Sequence, residues 1–222
     1  MLWLILTSVG SFHIRWNYFM NALHNNSKVG RDVIAITFDD GPHPEFTPQA
    51  IELLKKYDAK ATFFCIGKNA EKYPELVKNM LSEGHVIGNH SYSHINSYGF
   101  LSLKEVLSDI QQGQEVFKRI TNLKLQFFRP PFGVTNPNIS KAVKKLNLKT
   151  FGWRIRSFDT IAKDPDKVFR KISGKIQKGD IILLHDSSQL SMEILEKLLQ
   201  LLQNNNLKSV TLERLFNLRA YV

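Results

Sequence analysis

The sequence predicts an α/β fold, with βα units set around a parallel sheet or barrel. Three observations lead there. Short β-rich apolar runs alternate with helix-period stretches about seven times between Val33 and Leu218, as βα units do. Turn signals separate the runs. Polar residues follow nearly every run, and in α/β folds the carboxyl ends of the strands meet on one face, where sites are built.

The elements can be justified in order. Val33 to Phe38 (VIAITF) reads as a strand that stops at Asp39-Asp40-Gly41-Pro42. Thr47-Pro48 suggests a helix start, with Thr47 as cap and Pro48 first in the helix. Ile51, Leu53, Leu54 and Tyr57 give that helix its apolar face. Ala61 to Ile66 is a strand, Pro74 to Glu83 a helix ending at Gly84, and Val86 to Gly88 a short strand. Ser102 with Glu105 resembles a capping box for a helix running to about Arg119. Leu125 to Phe128 is a strand closed by Arg129-Pro130-Pro131, and Asn136-Pro137 caps a helix to Leu146. Strands at Thr150 to Trp153, Asp180 to Leu184 and Ser209-Val210 alternate with helices at Pro165 to Ile176, Met192 to Gln203 and Leu212 to Leu218.

The composition excludes several classes. The 222 residues suit one domain with a large core. With 15 Phe, 6 Tyr and 3 Trp, disorder is not the main state. The single cysteine, Cys65, rules out a disulfide framework and a Cys-rich zinc module, and is expected to be a buried small hydrophobe. A net charge of +10 favours anionic partners. The sequence holds no zinc finger, RNP-type strand or basic zipper, so no nucleic-acid partner is expected. Residues 1–30 read as an apolar amino-terminal segment, with Met1 to Val9 too short to span a bilayer alone. That run suits a packed element or the remnant of a membrane anchor. Arg15, Trp16, Tyr18, Phe19 and Met20 suit an interfacial helix over Phe12 to Leu23. Residues 31–222 read as one domain, expected to be a monomer, and residues 1–30 point to an envelope or extracytoplasmic location with membrane attachment through the amino terminus.

Asp39 and Asp40 follow the first strand, Asn89, His90 and His94 the third, Arg129 the fourth, Asp159 the fifth, and His185 and Asp186 the sixth. His90 and His94, four apart, would point the same way on a helical turn and could chelate a metal with one carboxylate. Such a pair also arises by chance. Asp39 and Asp40 could be a capped turn, or a metal ligand beside a base. Arg129, on a loop stiffened by two prolines, could orient a carboxylate or neutralise one. His185 suits proton delivery near neutrality, with Asp159 or Asp186 as its partner.

These motifs resemble the polysaccharide deacetylases that share the NodB homology domain, carbohydrate esterase family 4. TFDDG at Thr37 to Gly41, NHSYSH at Asn89 to His94, RPPFG at Arg129 to Gly133 and LLH at Leu183 to His185 carry the resemblance, which spans Arg31 to Leu218. It implies a distorted (β/α)7-8 barrel. It implies Asp39 as catalytic base, Asp40, His90 and His94 as metal ligands, and Arg129 as the group orienting the base. His185 becomes the general acid, tuned by Asp159. Leu183 is implied to line an acetyl-methyl pocket, and Pro131, Phe132, Gly133 and Trp153 to bound the substrate, with the Phe132 N–H as oxyanion donor. One divalent ion is implied, zinc first, with cobalt, nickel and iron left open by the donor set. Thr160 stands where relatives often have a second tryptophan, and Arg156 where a carboxylate is common.

The function implied is metal-dependent hydrolysis of N-acetyl groups from an N-acetylglucosamine-containing polysaccharide, peptidoglycan or chitin-like, releasing acetate. Two alternatives are a metal-dependent amidohydrolase of small C–N substrates and a non-catalytic glycan-binding module on the same fold.

Overall fold

The chain builds its sheet from parallel neighbours, most successive strands being joined through a helix. The structure, a computed structural model, describes residues 2–222. Met1, the first residue of the apolar run, lies outside the described residues. The strands are β1 (Ala22–Leu23), β2 (Val33–Asp39), β3 (Ala61–Cys65), β4 (Val86–Asn89), β5 (Phe127–Phe128), β6 (Lys149–Phe151), β7 (Ile155–Arg156), β8 (Ile181–His185) and β9 (Lys208–Ser209). The helices are α1 (Leu2–Phe12), α2 (Phe46–Lys56), α3 (Gly67–Lys72), α4 (Pro74–Ser82), α5 (Leu103–Thr121), α6 (Pro137–Lys145), α7 (Pro165–Ser173), α8 (Gln189–Asn204) and α9 (Leu212–Phe216). The strand order is β1-β6-β5-β4-β3-β2-β8-β7, with β9 beside the start of β2. The sheet curls into a distorted (β/α)7-8 barrel.

Alternation along the strands sorts two apolar layers. Ile34, Ile36, Phe38, Ile182 and Leu184 pack outward against helices such as α2 and α8. Ala35, Phe64, Phe127, Phe151 and Ile181 fill the concave side, with Leu212 and Leu215 of α9. The inward register then continues from Ala35 and Ile181 to Thr37 with Leu183, and to Asp39 with His185. The same alternation that fills the core thus delivers a carboxylate and an imidazole to the barrel mouth.

Several local expectations are corrected. Thr47 is not the cap of α2, which begins at Phe46 after Glu45. Pro48 is third in the helix, where its missing N–H is still a first-turn orphan. The Thr47 hydroxyl instead accepts from the His43 N–H at 2.7 Å and donates to Asp186. Phe12 to Leu23 is not one interfacial helix. It is the end of α1, a 3₁₀ turn at Ile14–Trp16 and β1, because Asn17 turns left-handed (φ 52°) and Ala22–Leu23 joins β6. The short polar α3 and the two-residue β7 carry no periodic signal and are not legible in the sequence. Among the described residues no helix is long and apolar enough to cross a membrane. Cys65 is buried, as expected of a small hydrophobe.

Candidate active site

The mouth gathers its polar groups from five strand ends. Asp39 is the last residue of β2, and Asp40 follows it with left-handed backbone (φ 72°). That conformation turns the second carboxylate away from the strand line. The Asn69 amide donates to the Asp40 carbonyl at 2.8 Å and fixes the turn.

His90 and His94 come together, but not on a helical turn. Ser91 (φ 69°) and His94 (φ 47°) both adopt left-handed backbone, and the loop's amides are held by side chains. Asn89 Oδ1 accepts from the Ser91 N–H at 2.8 Å, and Ser91 Oγ from the His94 N–H at 3.0 Å. The Asp109 carboxylate takes the N–H groups of Tyr92 and Ser93 at 3.1 and 3.0 Å. The imidazole centroids end 4.9 Å apart.

Asp40 Oδ1 lies 3.4 Å from His90 Nε2 and 3.2 Å from His94 Nε2. It is buried and makes no hydrogen bond of good geometry. His90 Nδ1 sits 2.7 Å from the Arg129 carbonyl. Donation there leaves Nε2 as a lone pair facing the cluster. Donor atoms of Asp40, His90 and His94 lie within 4.8 Å of one another. A carboxylate oxygen and imidazole lone pairs converging in this way need a cation or a proton between them, so this donor set fits a divalent ion. Burial pushes the Asp40 carboxyl up, but the neighbouring imidazoles of His90, His94 and His185 hold it well below the usual carboxylate range. Burial lowers the His90 imidazole, yet Asp39 and Asp40 more than offset this and raise it. His94 falls to about 4, through burial and then the charge of His90.

Arg129 lies wholly buried behind Asp39. Its Nη1 donates to Asp39 Oδ1 at 2.7 Å and to Thr37 Oγ1 at 2.9 Å. Its Nε and Nη2 donate to the carbonyls of Phe151 and Gly152 at 3.2 and 2.8 Å. The guanidinium also lies over the Phe64 ring, 4.1 Å from its centroid. A buried arginine fully bonded in this way is a fixed point for the carboxylate in front of it.

On the other side, His185 Nε2 stands 3.9 Å from Asp40 Oδ2. Its Nδ1 is 2.8 Å from Asp159 Oδ1, so Asp159 and not Asp186 is its partner. Asp159 is held in turn by the hydroxyls of Ser157 at 2.6 Å and Ser191 at 2.8 Å. Burial lowers the His185 imidazole, but Asp159 outweighs it and the group ends above its ordinary value. Asp159, despite burial, is lowered by His185 and the two serines.

The remaining sequence-selected residues form a wall. Pro131, Phe132 and Gly133 make one 3₁₀ turn, with left-handed backbone at Phe132 (φ 59°) and Gly133 (φ 69°). A Cβ at Gly133 would run into the Trp153 indole, so glycine is required for the two to meet. The Phe132 ring is half-exposed, 4.5 Å from that of His94. Leu183 is buried, two residues before His185 on the same side of β8. Asn69, Ser157 and Ser191 carry no recognisable signal in the sequence, whereas the spacing of two between Thr37 and Asp39 puts both on the same side of β2.

The curled parallel sheet with this cluster at its mouth has the form of a NodB-type barrel. The chain belongs to the polysaccharide deacetylase family, whose model matches residues 26–151. A peptidoglycan-N-acetylglucosamine deacetylase of Bacillus cereus is 34% identical over 91% of this chain and 73% of its own. The structure of the peptidoglycan deacetylase PdaC from Bacillus subtilis superposes with a TM-score of 0.79 at 31% identity, covering 85% of this chain and 91% of that one. BA3943 of Bacillus anthracis, described as a family pseudoenzyme, superposes with a TM-score of 0.80 at 26% identity, over 88% of this chain and 68% of its own.

Proposed function

We propose that this chain removes N-acetyl groups from an N-acetylglucosamine-containing polysaccharide at the cell envelope, releasing acetate. One observation carries the reading. A proton acceptor and a proton donor, each held by its own buried partner, flank a three-donor cation site at 3.8 and 3.9 Å. Residues 31–222 supply all of these groups.

A divalent ion held by Asp40, His90 and His94 would supply Lewis acidity for water and for the acetyl carbonyl. Asp39 takes a proton from the attacking water, and Arg129 keeps its carboxylate aimed. As the oxygen bonds to the acyl carbon, negative charge builds on the former carbonyl oxygen, where the Phe132 N–H is the candidate donor. The C–N bond then breaks, and His185 gives its proton to the departing amine. Asp159 holds that imidazole protonated and fixes its orientation. Leu183, Trp153, Pro131 and Gly133 enclose the acetyl methyl and the sugar. Zinc suits the nitrogen-rich donor set best.

Acetate release from N-acetylated chito-oligomers and from peptidoglycan, beside an Asp39→Asn control, tests the proposal. Release that the control abolishes supports it. Inertness toward both polymers with cleavage of small amides would move the chain to the amidohydrolases. Inertness toward all of them would place it with non-catalytic relatives.

A further inference from the structure

A second cleft adjoins the site at the open edge of the barrel. β7 is last in the strand order and, among the described residues, pairs only with β8. Along its free edge runs a cavity of about 320 Å³, walled by residues 12–15, residues 153–156, Phe158 and one side of α7.

Its charge is of one sign. Arg15, Arg156, Lys171 and Lys175 line it, all exposed. Among the described residues none of the four has an acidic partner, whereas their neighbour Arg154 is tied to Asp180. Single exposed charges bind weakly in water. Several of one sign around a cleft with apolar walls focus their field and hold anions better.

The cleft shares a wall with the reaction site. The Arg156 guanidinium lies over the Trp153 ring at 5.5 Å and over Phe158 at 4.8 Å, and Lys171 Nζ is 5.0 Å from the Phe158 ring. A second guanidinium near the Trp153 ring is that of Arg129, at 5.6 Å, which holds Asp39. Arg156 also pairs in register with Leu183, two residues before His185. A guanidinium stacked on aromatic faces keeps its edge N–H groups free, in the fork geometry that grips a carboxylate.

We propose that this cleft is a subsite for a carboxylate on the sugar next to the one deacetylated, with Arg156 and Lys171 as its ligands. The proposal rests on the deacetylase reading and narrows it. The substrate it fits is an N-acetylhexosamine strand bearing lactyl-ether carboxylates on alternate sugars. Chitin-type oligomers have no group for it.

Two soluble tetrasaccharides test this, identical except that one bears the free lactyl acid and the other its neutral carboxamide. Calorimetric binding to the full chain and acetate release are measured at low and raised salt. The acid should bind about tenfold tighter at low salt, with the advantage fading as salt rises and appearing in KM. In Arg156→Gln and Lys171→Gln the acid-to-amide ratio should fall toward one. Lys208→Gln, at the opposite end of the strands, should keep the full ratio. Equal binding of acid and amide by the unaltered protein overturns the proposal, as does an unchanged ratio in both cleft variants. Tighter binding of a glycerol-phosphate oligomer than of the acid overturns it in favour of a phosphodiester ligand. If the acid binds tighter but neither oligomer yields acetate, the deacetylase reading falls and the carboxylate subsite stands.

Discussion

Arg129 shows how much of the site depends on single side chains. Its guanidinium fills four hydrogen bonds while buried, and Asp39 is the only carboxylate among those partners. In the proposed mechanism Asp39→Asn keeps the shape but removes the acceptor of the water proton. Steady-state acetate release should fall by roughly 10²- to 10⁴-fold, and a variant within tenfold of the unaltered chain would remove Asp39 from the chemistry. In the proposed reaction His185 gives its proton to the departing amine, and Asp159 outweighs burial and raises the imidazole above its ordinary value. Activity should therefore decline with rising pH at a point above the ordinary histidine range. In Asp159→Asn that alkaline limb should move to lower pH; an unmoved limb in the pH–rate profile would separate Asp159 from the proton donor. At this scale the sequence was informative where a residue type and a strand end coincide, as at Asp39, Arg129 and His185. Ser191 carries no signal, because it bonds to Asp159 across 32 residues, and Ser157, two residues before Asp159, looks like any other loop serine.

The elements divide by how local their causes are. Ser102 and Glu105 form a complete capping box, with bonds of 3.3 and 2.7 Å, and α5 starts where the sequence predicts. Ser102→Ala should cost about 1 kcal/mol in urea unfolding and leave acetate release unchanged. The start of α2 was misread because Thr47 serves a tertiary contact, its bond to Asp186. Asp186 sits under the Asp40–Gly41 turn, where burial raises its carboxyl to about 7. The sign follows from linkage. The unfolded chain ionises this group near pH 4 and the folded chain near 7, so folding loses stability as pH rises between them, by up to about 4 kcal/mol. Asp186→Asn should escape that loss, so the Tm of the unaltered chain relative to the variant should drop between pH 5 and 8. Parallel Tm profiles would mean that the folded carboxyl ionises as the unfolded one does. The 90–94 loop also departs from the sequence expectation. A spacing of four suggests one helical face, but here two left-handed residues and three acceptor side chains bring the rings together.

At the scale of the whole molecule, strand alternation links folding to chemistry. Ala35, Thr37 and Asp39 lie on one side of β2, and Ile181, Leu183 and His185 on the matching side of β8, so the inner core grades into the site without a break. This was legible because seven-fold alternation and polar strand ends are sequence-wide signals. The barrel's open edge was not, because β1 and β7 are two residues each and their pairing depends on distant partners. The net charge of +10 named no partner by itself. The structure concentrates unpaired cations at that edge, beside Trp153. The central claim is that Asp40, His90 and His94 enclose one divalent ion on which the reaction depends. Stripping the protein with a chelator and titrating zinc back, while following acetate release, tests it most directly. Activity should vanish on stripping and return to a plateau at one equivalent, with His94→Ala failing to recover at that dose. Full activity in the stripped protein, or unimpaired recovery by His94→Ala, would contradict it.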